Sequence, residues 1–157
     1  MSKSDCRYNM YINILKEELV PAMGCTEPIC LAYAAAKARE ILGETPEKVD
    51  ILASGNIIKN VKSVIVPNTN GMKGLKASVA IGIIGGNVAK ELEVIANVTE
   101  DEKQKTKEFL ETTPMTITHI NSQEQLDVTV KLYKDNHHAS VRISGFHTNI
   151  VYIQKDD

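Results

Sequence analysis

Apolar positions recur along this chain with two periods, and the change from one to the other divides it. Through the first two thirds the spacing is mostly helical. Met10, Tyr11, Ile12, Ile14, Leu15 and Leu19 fall along one stripe that predicts a helix running toward Pro21, behind a polar start from Met1 to Asn9 that contains Cys6 and reads as loose. A second helix is marked by Thr26 as cap, Glu27 and Pro28 in the first turn, an alanine-rich run from Ile29 to Leu42, and Gly43 as the stop. Its alanines favour helix and permit close approach of a neighbouring backbone. Val49, Ile51 and Ala53 then alternate with Asp50 and Leu52 as a strand. Ser54-Gly55-Asn56 interrupts it, and Val61 to Val66 predicts another strand. Met72 to Gly86, almost uncharged after Lys76, predicts a buried helix despite the cost of Gly82 in its interior. Asn87 to Ala96 predicts a further short helix, and Thr99 caps a polar amphipathic one reaching Leu110.

In the last third the period falls to two. Met115, Ile117 and His119 precede a turn, after which Leu126, Val128, Val130 and Leu132 alternate with polar residues. The Asp135-Asn136 turn leads to Ala139, Val141 and Ile143, and Gly145 separates these from His147 to Ile153. The pattern predicts a three-stranded antiparallel meander with one further strand nearby, and an α+β fold in which helices pack on one face of a mainly antiparallel sheet.

With 157 residues the chain has room for one ordinary domain, read as residues 1–157, so a second module must come from another chain or from the rest of a longer protein. A formal net charge of -2, with 43% hydrophobic and 24% charged residues, excludes a chain-wide basic nucleic-acid footprint and a disordered acidic tail. No apolar stretch approaches the roughly 20 residues that cross a bilayer. Three cysteines without CxxC spacing and no leader-like start point away from a secreted disulfide scaffold and toward the cytoplasm.

Cys25, in GCTEP, is placed just outside the positive end of the second helix, where free N–H groups and the helix dipole favour a thiolate; simple packing is the alternative. Cys30 reads as a core residue and Cys6 as incidental. The histidines lack a familiar zinc spacing, with His119 in strand packing and His137 and His138 at a surface hairpin. Three polar islands, Ser54 to Asn60, Pro67 to Gly74 and Ser144 to Asn149, are either loops that present donors to a carboxylate or turns that satisfy their own backbone. No phosphate loop or dinucleotide fingerprint is present.

GCTEPIC at 24–30, SGNIIKNV at 54–61, VPNTNGMKGLKAS at 66–78 and SGFHTNIV at 144–151 together resemble the N-terminal part of the L-cysteine desulfidase family, related to the alpha chain of iron-sulfur L-serine dehydratases. The resemblance runs from about Tyr11 to Ile153. It implies a carbon–sulfur lyase that converts L-cysteine to pyruvate, ammonia and hydrogen sulfide, with a [4Fe-4S] cluster held by three cysteines, of which Cys25 would be one. Cys6 and Cys30 do not match the other two, which belong to a C-terminal part that this sequence lacks. The implied cluster is therefore incomplete in this chain, and activity is expected only with a C-terminal half or second subunit; association of copies is another route to further ligands. His147 matches the histidine of the family's HTN segment. With Thr148 and Asn149 it is expected in the substrate site, as are Ser54, Asn56, Lys59 and Asn60. Abstraction of the α-proton needs a base, and His147 is preferred to Lys59 because its pKa lies nearer working pH. An L-serine dehydratase subunit and a non-enzymatic interaction domain are the alternatives.

Overall fold

The computed structural model describes residues 3, 5–19, 21–22 and 24–157; of the start expected to be loose, Met1, Ser2 and Ser4 lie outside the described residues. Asp5 begins the first helix earlier than the apolar stripe does. Its carboxylate accepts from the Arg7 backbone N–H at 2.9 Å and caps α1, Cys6–Glu18, so Cys6 is the first helical residue and not part of a loose segment. At the second helix, α2 (Thr26–Leu42), Cys25 and not Thr26 occupies the cap position, with no side-chain cap bond, and Gly43 ends the helix in the left-handed conformation at φ 82°.

The strand β1, Lys48–Ser54, is followed directly by the short helix α3, Gly55–Val61. The strand expected over 61–66 is absent, because Val61 closes α3 and the rest of that run serves a loop. Only Ile65 forms an isolated bridge, with Lys73, and the backbone bonds Val66 N–H to Met72 O and Gly74 N–H to Val64 O close the loop. Asn68 and Asn70 take positive φ within it. α4 spans Gly74–Gly85, a 3-10 turn spans Val88–Glu93, and α5 spans Glu100–Thr112 behind a full capping box between Thr99 and Glu102.

The remaining strands are β2 (Met115–Ile120), β3 (Asp127–Lys134), β4 (His137–Ser144) and β5 (Ile150–Lys155). They join β1 in a sheet of order β2-β1-β3-β4-β5, antiparallel except for the parallel β1–β2 pair. The fold is α+β, as expected. The strand predicted to stand near the meander is β2, joined to it through β1, and the helical segments between β1 and β2 provide the crossover a parallel pair needs.

One hydrophobic core explains the composition of the helices. α2 lies between the sheet and α4, with Ile29, Cys30, Leu31 and Ala34 fully buried, and α5 covers the far side of α4. A helix enclosed from both sides has no polar face, which accounts for the uninterrupted apolar stretches of α2 and α4. A Cβ on Gly82 of α4 would lie far inside van der Waals distance of the Ala32 backbone, so the two helices cross at glycine–alanine closeness. No helix among the described residues is long and apolar enough to cross a membrane.

Candidate functional site

Two clefts meet at the loop between β4 and β5, and His147 lines both. The first, of about 410 Å3, is walled by Glu27 at the start of α2, Asn56 at the start of α3, and Glu124 and Gln125 from the approach to β3. The second, of about 560 Å3, runs past Glu17 and Glu18 of α1, Thr26, Leu92, Thr148 and Asn149. Both fall in the size range of small-molecule sites.

The loop that carries His147 is fixed by its own backbone. Gly145, at φ 83°, donates its N–H to Leu126 O, and Ser144 N–H reaches Asn149 O. Asn149 returns its side-chain amide to Ser144 O at 2.9 Å. Held this way, the imidazole Nε2 of His147 is buried and has no hydrogen-bond partner among the described residues. A buried ring nitrogen with nothing to bond is costly to leave unsatisfied, so it is a feature to be explained.

The neighbouring polar groups divide into those that face the clefts and those that hold the walls. Ser54 is buried and donates its hydroxyl to Gln125 O at 2.5 Å, fixing the segment before β3 against the end of β1. Asn56 faces the first cleft; Thr148 and Asn149 face the second. Lys59 and Asn60, also expected at the site, are exposed on α3 and line neither cleft. His119 is exposed and sits against the first residue of α3, where a Cβ on Gly55 would lie 3.1 Å from its Nε2. The 67–74 loop directs its donors to other parts of the chain: Asn68 donates to Ile95 O and Ala96 O, Asn70 to the Glu100 carboxylate, and Thr69 to Val66 O.

Cys25 caps α2 beside Thr26 and lines neither cleft. Its thiol donates to the Glu27 carboxylate at 3.3 Å. Partial desolvation of the sulfur, then the hydrogen bond and negative charge of Glu27, push the thiol above its ordinary pKa, although the Glu27 backbone N–H acts in the opposite sense. The thiolate expected at this helix start is thus disfavoured, by desolvation first and by Glu27 second. Cys30 is a core thiol, its pKa pushed far up by burial.

Glu27 and Gln125 are the wall residues that motif reading missed. Glu27 reads in sequence as a helix-start charge, and the SQEQ segment at 122–125 carries no pattern beyond that of a turn. What makes it a wall is the Ser54 bond from 71 residues away, which no local signal announces.

The chain is 51% identical to a UPF0597 protein of Desulfitobacterium hafniense, across 99% of this chain and 36% of that protein. It is 48% identical to a UPF0597 protein of Treponema denticola, with 100% and 36% covered, and 46% identical to one of Lachnoclostridium phytofermentans, with 95% and 36% covered. No family model and no solved structure matches. The chain thus spans about a third of the length of these relatives. These names correct the expectation drawn from GCTEPIC and the other motifs: the relatives are not named as L-cysteine desulfidases or L-serine dehydratases. Among the described residues no group of three or more His, Cys, Asp or Glu side chains could hold a metal ion. By sequence, then, this chain is similar to part of the UPF0597 proteins.

Proposed function

We propose that this chain forms part of a binding site for a small amino-bearing molecule, with His147 as the group that exchanges a proton with it. The observation that carries the reading is the unpartnered, buried Nε2 of His147 at the junction of two clefts. With its proton on Nδ1, the imidazole presents a free lone pair that an N–H or O–H of a bound ligand would fill. Glu27 and Glu124 line one cleft, Glu17 and Glu18 the other, and among the described residues no lysine or arginine lines either, an electrostatic setting that suits an ammonium group better than a lone carboxylate. Asn56, Thr148 and Asn149 supply neutral polar contacts. Lys59 has no part in this reading. Cytoplasmic residence belongs to it, supported by the free thiols of Cys6, Cys25 and Cys30.

The test is titration of the full chain, followed by the ring-proton resonances of its histidines. L-cysteine and L-serine are compared with their decarboxylated amines and with L-lactate, which lacks the amino group. The amino compounds are expected to move the His147 resonance while L-lactate does not, and His147→Ala is expected to weaken their binding by about tenfold or more. Equal binding of L-lactate, or an unmoved His147 resonance under saturating amine, would overturn the proposal.

A further inference from the structure

Beside the second cleft, two apolar surfaces are left largely exposed among the described residues. Along α1 the side chains of Met10, Tyr11, Ile14 and Leu15 form a stripe, each about half exposed, and among its described residues α1 buries none. Such a helix of 13 residues, with no buried face, is marginal in water by itself. On the other side of the cleft Phe146 is 71% exposed, and Val151 and Ile153 of β5 are about half exposed. Glu17 and Glu18 of α1 and Phe146 line the same cleft, so the two surfaces border it together.

The register of the sheet shows that part of this surface is unfinished core. Ile153 pairs with Val141, whose side chain is fully buried on the face that α2 covers. Paired residues on adjacent strands point to the same face. Ile153 is therefore a core-facing residue left about half exposed at the margin of the layer that α2 forms, on a strand that pairs, among the described residues, with β4 alone. Exposed apolar edges of this kind are ordinarily covered in native proteins.

We infer that α1 and the Phe146–Ile153 edge form the docking surface for the polypeptide that the UPF0597 relatives carry outside the stretch matched here, joined as one chain or as a separate subunit. The relatives have the material for it, because the matched stretch is only 36% of their length. The occupant presents an apolar face that continues the α2 layer over β5, packs on α1 and roofs the second cleft. This inference does not rest on the ligand assigned above, and its test contains no ligand.

The test measures burial by maleimide labelling, read peptide by peptide so that the native cysteines are distinguished. Ile14→Cys and Ile153→Cys are made in the 157-residue chain, and cysteines are placed at the aligned positions of the intact Desulfitobacterium hafniense relative. Each rate is referred to that of the same variant unfolded in urea. Labelling at both positions is expected to be at least about tenfold slower in the intact relative than in the chain. Equal rates would overturn the inference. Slowing that appears in the chain alone as its concentration is raised would also overturn it, by making a second copy the occupant.

Discussion

A thiol and a carboxylate two residues apart govern the start of α2. Glu27 accepts from the Cys25 thiol, so Glu27→Gln removes the charge and exchanges the carboxylate acceptor for a weaker amide oxygen, while leaving the backbone N–H that lowers the thiol pKa. Alkylation of Cys25 at pH 8, followed by peptide mapping, is expected to be several-fold faster in Glu27→Gln; an unchanged rate would mean that desolvation alone sets the pKa. Across the molecule, Asp127 has a fully buried side chain and accepts from the Arg142 guanidinium at 2.9 and 2.6 Å and from Ser122 at 2.7 Å. Burial pushes its carboxyl up, but Arg142 and Ser122 together hold it below the usual range. The associated stability is present above the unfolded carboxyl pKa of about 3.9 and is lost as pH falls through the lower folded value. Arg142→Ala is expected to cost about 2–3 kcal/mol at pH 7, less than a fully buried pair because Arg142 is half exposed, and the cost shrinks as pH is lowered toward 3. Urea denaturation at several pH values measures it. At this scale the sequence showed His147 as a group of interest and Cys30 as core, but Glu27, Gln125 and the Asp127–Arg142 pair depend on contacts between distant segments.

Among the elements, those with a strong period or a clear cap were legible. Alternation announced β1, β3 and β4, and the lack of charge announced α4. Two errors have physical causes. Val61 to Val66 is apolar enough for a strand but closes α3 and then enters the 67–74 loop, so burial and not pairing explains Val61 and Val66. The N-terminal helix was expected too late because its first turn, capped by Asp5, precedes the apolar stripe that begins at Met10. Gly82 shows the opposite case, where an unfavourable propensity marks a contact. Alanine would gain about 1 kcal/mol of helix propensity there. Its Cβ would meet the Ala32 backbone, which cannot rotate away as a side chain can. Gly82→Ala is therefore expected to destabilise the protein by a net 1–3 kcal/mol or so, read from the denaturation midpoint, and a stabilised variant would show that α2 and α4 separate freely.

For the molecule as a whole, fold class could be read from period and composition, whereas the assignment of an activity could not. The motifs at 24–30 and 144–151 lie together in the fold, since Glu27 and His147 share a cleft, yet the chemistry inferred from the resemblance did not survive comparison with relatives. The parallel pairing of β1 has a consequence for the order in which the structure assembles. β1 lies between β2 and β3, with Val49 beside Met115 and Ile51 beside Val130. A ribosome therefore delivers the sheet's second strand early and both of its neighbours late, after every helix has been made. Until residues 115–133 emerge, β1 has two unpaired edges and no sheet to join, and closing such distant contacts is slow. During synthesis the early-made helices must wait beside a strand that nothing yet holds, which makes that interval the one in which the nascent chain is most open to mispairing and to chaperones.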